Sequence, residues 1–305
     1  MHNQKEIRDR IKGIQNTMKI TNAMYMISSS KMKKAKDELD HTRPYFDALH
    51  REIKRVFRTI EGVENRYFYP ADGSEPPDGT NGLLVITTDK GLAGSYNRNV
   101  IKEAMTLIEK HPDTKLFVVG EYGRRFFAKH NYPLEKSFQY TSQYHSMDVA
   151  REISFFLLDL YDRGELAKIF VVYSDLKSSL NTKAMSTRLL PFHRSLAQAH
   201  VHKDEPEVSV PFEFYPPVDA VVDNVVKIWL SGFIYSALVD SFCCEQSARM
   251  TAMSAANKNA EKLIDELIVQ YNMLRQEAIT EEITEIIAGA KAQRRKREKE
   301  VHHVE

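Results

Sequence analysis

The chain has only two cysteines, Cys243 and Cys244, and they are adjacent. Neighbouring cysteines rarely bridge each other, and no CxxC or Cys/His ligand spacing occurs. A disulfide framework and a structural zinc site are therefore excluded, and both thiols are expected to be reduced core residues in a cytosolic setting. No run of 18 or more apolar residues is present, which argues against a transmembrane helix. A formal charge of +1 gives no global steering toward nucleic acid or an anionic membrane. The N-terminal HNQKEIRDRIKGIQ is too charged for a signal peptide, and its Glu6 and Asp9 are residues a transit peptide avoids. His111, His130, His145, His193, His200 and His202 are scattered without ligand spacing. No nucleophile elbow or acidic metal motif is found, so no catalytic residue, metal or cofactor is expected.

Proline is nearly absent where it would matter most. Residues 3 to about 59 and 218 to about 297 both read as continuous helix, and Pro44 is the one proline within them. Ordinary helices average about 11–12 residues. These would be rods of roughly 80 and 110 Å. A rod of that length cannot bury its apolar stripe in a small core and needs a second helix beside it.

The stripes supply that partner. In the first segment a 4-3 spacing gives Ile7, Ile11, Ile14, Met18, Thr21, Tyr25, Ser28, Met32, Ala35 and Leu39. In the second, Ile264, Leu267, Tyr271, Leu274 and Ala278 form a seam, which Ile279, Ile283, Ile286 and Ala290 continue one residue out of phase. The charges match too. Residues 1–36 hold nine Lys/Arg and two acids, net +7; residues 261–285 hold two Lys/Arg and seven acids, net −5. Opposite signs favour pairing of the two different helices. One precedes and the other follows the middle of the chain, so the expected pairing is antiparallel.

The middle alternates short apolar runs with helical patterns. Leu83–Thr88, Lys115–Gly120 and Lys168–Ser174 read as strands, and about 95–110, 121–131 and 147–163 as helices. This order predicts right-handed βαβ units and a mainly parallel sheet covered on both faces. Further strands are expected near Met185–Pro191 and Val208–Phe214. The Pro- and Gly-rich stretch Gly62–Gly82 reads as a loop, and Pro217 can open the second long helix. The expected fold class is α/β: a Rossmann-like, mainly parallel domain plus a long antiparallel coiled coil. Expected boundaries are 1–61 for the first coiled-coil helix, 62–81 for the linker, 82–214 for the α/β domain, 215–292 for the second helix and 293–305 for a charged tail.

The turn Thr87–Asn97, TTDKGLAGSYN, comes nearest to a catalytic motif. It follows a strand and opens a helix, where a doubly wound fold would hold a phosphate. Its Gly91 and Gly94 are not spaced as GxGxxG, and Lys90 precedes them instead of following as in a P-loop. A tight strand-to-helix turn with Asp89 and Ser95 as capping side chains is the plainer reading. Two other functions are compatible with these features: a free-standing Rossmann-like nucleotide-binding protein, and a coiled-coil scaffold or nucleic-acid adaptor. Against the adaptor, residues 1–36 offer only Tyr25 as an aromatic.

Three stretches carry a family resemblance: Ile11–Ala35 (IKGIQNTMKITNAMYMISSSKMKKA), the TTDKGLAGSYN turn, and Glu245–Ala292 with its SARMTAM and RQEAITEEITEIIAGAKA runs. In order and spacing the chain resembles the gamma subunit of F-type ATP synthase, from about residue 5 to 292. The resemblance implies an antiparallel coiled-coil axle inside a ring of three alpha and three beta subunits. It implies a middle domain set against the epsilon subunit and the c ring, and a rotor without catalytic residues of its own. It also implies a peripheral place on the cytoplasmic face of a bacterial plasma membrane. By motif match, Lys19, Met24, Arg249, Arg275, Gln276 and Thr280 fall where the family's axle meets the catch region of the beta subunits. Ile283, Ile286 and Ile287 fall at the apolar axle tip, which runs through an apolar sleeve.

Two departures stand out. The family's C-terminus normally ends soon after the run that is Gly289–Ala292 here, whereas this chain continues as QRRKREKEVHHVE. If helical, those 13 residues would add about 20 Å. They read either as a solvated tail or as a regulatory element in which Arg294, Arg295, Lys296 and Arg297 meet acidic surface of the ring. The cysteine-bearing loop of some plant-type gamma subunits is missing, so thiol regulation is not expected.

Overall fold

The computed structural model describes residues 2–59, 65–69, 79–178, 181–192, 215 and 217–301. The elements in chain order are helix α1 (His2–Thr59), strand β1 (Asn81–Ile86), helix α2 (Tyr96–Lys110), strand β2 (Thr114–Val119), helix α3 (Glu121–Lys129), helix α4 (Met147–Asp162), strands β3 (Lys168–Ser178) and β4 (Asn181–Leu190), and helix α5 (Val218–Val301). They form two compact units, residues 1–26 with 253–305 and residues 27–252. Both long helices contribute to both units.

In the first unit α1 and α5 run antiparallel. Gln4 Nε2 donates to the carbonyl of Leu274 at 2.9 Å, and the Thr21 hydroxyl bonds to Asn257 Oδ1. The step from 4 to 21 on one helix equals the step from 274 back to 257 on the other, so one register serves the pair. The seam is the expected one. Ile7, Ile11, Ile14, Met18, Thr21 and Tyr25 are half-buried, as are Ile264, Tyr271, Leu274 and Ala278, while Leu267 is buried. Half-burial of an isoleucine stabilises by less than the ~1.5–3 kcal/mol of full burial, which suits a two-helix pair with no third layer.

The out-of-phase continuation of the seam is corrected. Ile279, Ile283, Ile286 and Ala290 are exposed. The cause is register: α1 begins at His2, and at the observed pairing that end stands opposite residue 276. Past the end of α1 the isoleucines of α5 stand exposed. Helix α5 also runs past Ala292, through Val301.

The second unit is built on a four-stranded sheet of order β2-β1-β3-β4. β1 pairs in parallel with β2 and with β3, and β4 returns antiparallel on β3. β4 is the strand expected near 185–191, begun four residues earlier and closed as a hairpin. The strand expected at Val208–Phe214 lies outside the described residues, as does most of Gly62–Gly82. Successive residues of β1 point to opposite faces, and both faces are covered. Leu84 and Ile86 join Phe117, Ile169 and Val171 under Ile153 and Leu157 of α4 and the Val222–Cys243 stretch of α5. Leu83 and Val85 join Val118 and Val172 under Tyr96, Val100 and Ala104 of α2 and Phe127 of α3. This double cover is why the strands read as continuous apolar runs. One stretch of α5 would be long and apolar enough to cross a bilayer, but 67 % of it is buried within the protein.

The expected loop after α1 holds a packed element. Tyr67 is fully buried, stacks on Tyr161 with ring centroids 6.0 Å apart, and donates its hydroxyl hydrogen to Asp162 at 3.0 Å. Pro217 sits at the start of α5, where its carbonyl accepts from Val221 at 3.2 Å. A proline there loses no helical hydrogen bond of its own.

Candidate partner-contact residues and the turn after the first strand

The turn Thr87–Asn97 is filled by the protein's own polar groups. Thr87 donates its hydroxyl hydrogen to the Val119 carbonyl at 2.8 Å and accepts from the Gly123 amide at 3.0 Å. Thr88 N–H donates to Asn97 Oδ1 at 3.1 Å, Asn97 Nδ2 donates to Thr88 Oγ1 at 2.7 Å, and that hydroxyl donates to the Lys90 carbonyl at 2.7 Å. Asp89 was expected to cap the helix that follows it. It caps α3 instead, where Oδ1 accepts from the Glu121 amide at 3.2 Å. Its other oxygen accepts from the Ser142 hydroxyl at 3.1 Å. Ser95 stands at the N-terminus of α2 without a side-chain capping bond. A carboxylate thus occupies the N-terminus of α3, where a negative charge is favoured.

On the α5 side the turn is clamped. Arg249 and Glu245, one helical turn apart, pair at 2.7 Å. Both residues are buried, 8 % and 6 % exposed. Arg249 Nη2 also points at the carbonyls of Lys90 and Gly91, at 3.4 and 3.3 Å. Burial raises the Glu245 carboxyl, and the neighbouring Arg249 partly opposes that shift. Glu245 was not singled out from sequence. Its spacing of four from Arg249 was the available signal, but on a solvated helix such a pair is unremarkable.

The other motif-matched residues lie in the first unit and are not gathered into one site. Lys19 is exposed and Met24 half-buried on α1. Arg275, Gln276 and Thr280 are exposed on α5, with the Thr280 hydroxyl bonded to the Gln276 carbonyl at 2.8 Å. Gln276, Thr280, Ile283 and Ile287 follow the 4-3-4 spacing of one helical face. Ile283, Ile286 and Ile287 are 52 %, 70 % and 51 % exposed. Arg294 and Arg295 are exposed on the last part of α5. Lys296 and Arg297 belong to the same helix, but their side chains lie outside the described residues.

One unit is a long antiparallel helix pair and the other a mainly parallel α/β unit, the two components that the motifs implied. The family model described as ATP synthase matches residues 3–293. The chain belongs to the ATP synthase gamma-chain family. It is 40 % identical over 292 residues to the ATP synthase gamma chain of Caldanaerobacter subterraneus, covering 94 % of this chain and 98 % of that one. The gamma chain of Acetivibrio thermocellus is 36 % identical over 290 residues, with 94 % and 98 % covered. Among solved structures, a chain of the Euglena gracilis mitochondrial ATP synthase (OSCP/F1/c-ring) aligns with a TM-score of 0.65 at 16 % identity, covering 96 % and 95 %. A chain of the Tetrahymena thermophila central stalk and c ring aligns at 0.59 and 22 % identity, covering 78 % and 99 %. At those identities the structures support the fold. The gamma-chain relatives, matched over nearly their whole length, decide against a free-standing nucleotide-binding protein.

Proposed function

We propose that the chain is the rotor of the F1 central stalk, coupling ion flow through the membrane sector to ATP synthesis or hydrolysis at the beta subunits. The observation that carries this reading is the family match across residues 3–293 together with an apolar helix end that the chain itself leaves uncovered. A two-helix coil resists torsion, and isoleucines 51–70 % exposed mark a surface buried in a larger assembly. In this reading Lys19, Met24, Arg249, Arg275, Gln276 and Thr280 face the catch region of the beta subunits, where Arg249 and Arg275 donate charged hydrogen bonds to carboxylates. Ile283, Ile286 and Ile287 turn inside an apolar sleeve of the ring of three alpha and three beta subunits. The α/β unit meets the epsilon subunit and the c ring. The chemistry belongs to the ring, and the assembly lies at the cytoplasmic face of a bacterial plasma membrane.

Affinity purification of a tagged chain from detergent-solubilised membranes tests the reading. Alpha and beta subunits should co-elute in equal amounts with ATP hydrolysis activity. A monomer free of both would sink it. The basic residues on the end of α5 add a second expectation. If Arg294, Arg295, Lys296 and Arg297 brake rotation against acidic surface of the ring, deleting 293–305 raises ATP hydrolysis more than synthesis. Equal changes in both directions would leave the tail as solvated helix.

A further inference from the structure

We propose that Glu245 is a positioning residue: it holds Arg249 by one guanidinium nitrogen against the Lys90–Gly91 turn and leaves the remaining N–H groups for a carboxylate of a beta subunit. This rests on the reading of Arg249 as a contact with the ring. Glu245 Oε1 sits 2.7 Å from Nη2, and the same Nη2 faces both turn carbonyls. Among the described residues no hydrogen bond engages Nε or Nη1, and the Arg249 side chain keeps 10 % of its surface exposed. A guanidinium carries five N–H donors in a rigid fork. Fixing it at one corner aims the others.

The energetics point the same way. Glu245 is buried in a place that raises its carboxyl, with Asp89 adding to the rise and Lys31 opposing it. A buried ion pair is a weak source of stability, because desolvation offsets the attraction. A carboxylate kept there at such a cost is better explained by what it orients. The turn is also backed by α5. A methyl group at Gly94 would stand 3.7 Å from the Ala248 carbonyl and 3.8 Å from Ala252 Cβ, so the turn already lies against α5 where Arg249 reaches it. Turn, arginine and glutamate thus form one preorganised contact, in which an incoming acidic group finds its donor already ordered.

The test compares Glu245→Gln, Arg249→Ala and the double variant in the reconstituted complex, reading ATP hydrolysis. A lost charge-assisted hydrogen bond should slow turnover about tenfold. The expected result is that either single variant slows hydrolysis, that the double variant is no slower than Arg249→Ala alone, and that Glu245→Asp restores part of the rate. Slowing by Arg249→Ala with Glu245→Gln at the wild-type rate would overturn the positioning role while leaving the Arg249 contact standing. Slowing that multiplies in the double variant would overturn it too, since Glu245 would then act independently. Wild-type hydrolysis in Arg249→Ala would remove the contact itself and this inference with it. Amide exchange across residues 88–94 in the assembled variants gives a readout separate from activity. It should rise in Glu245→Gln, and unchanged protection there counts against the clamp.

Discussion

Gly120→Ala is expected to destabilise the α/β unit by about 3 kcal/mol or more, since overpacking alone costs about 1–3 kcal/mol and backbone strain adds to it. Gly120 has a φ of 91°, in the left-handed region that a side chain resists. A Cβ built on it would lie 2.4 Å from the Thr87 carbonyl oxygen and 2.8 Å from that of Thr88. These are backbone atoms, fixed by the bonds that close the end of β1, so nothing flexible can yield. Urea unfolding followed by Trp229, the chain's one tryptophan and part of the packed α5 face, reports the change as a lower midpoint. Gly91→Ala is the control. It lies in the neighbouring turn, has nothing within 4 Å of a new Cβ, and should stay within about 0.5 kcal/mol of the parent. Equal losses in both variants would mean that the close approach at Thr87 is not what sets the cost.

The second large effect separates folding from assembly. Replacing Ile283, Ile286 and Ile287 together by glutamine should leave helix content and thermal midpoint nearly unchanged. All three are more than half exposed, and glutamine matches or exceeds isoleucine as a helix former. Association with the alpha–beta ring should fall at least about tenfold, because each isoleucine forfeits part of the ~1.5–3 kcal/mol available on full burial. Ile264→Gln, within the half-buried seam, should do the reverse and lower the midpoint of the isolated chain. If the triple variant assembles as tightly as the parent, the exposed tip is not an interface.

What sequence could say about this fold depended on how local the signal was. The α1 seam from Ile7 to Tyr25 was legible because a 3.5-residue period survives any change of neighbours. The strands were legible because double cover leaves continuous apolar runs. The end of the seam was not. Ile279, Ile283 and Ile286 keep a plausible spacing, and only the register between Gln4 and Leu274 reveals that nothing of α1 lies beyond residue 276. Asp89 capping a helix that starts 32 residues later, and Tyr67 buried within a Pro- and Gly-rich stretch, are tertiary facts with no local trace. Arg249 was named by motif match as a partner contact; its intramolecular pairing with Glu245 and its hold on Lys90 and Gly91 needed three-dimensional proximity.

The adjacent cysteines have a practical consequence. Cys243 belongs to the core on one side of the sheet and Cys244 to the core on the other. Neither has measurable surface, and burial pushes the Cys243 thiol up to about 12 and the Cys244 thiol up as well. Maleimide and disulfide reagents attack thiolates that they can reach, and these two offer neither access nor ionisation. The native chain is therefore silent toward thiol chemistry while folded. A single cysteine placed on the exposed face of α5 would be its sole attachment point, and a bead or fluorophore could be fixed there without first removing the residues that fill the two cores.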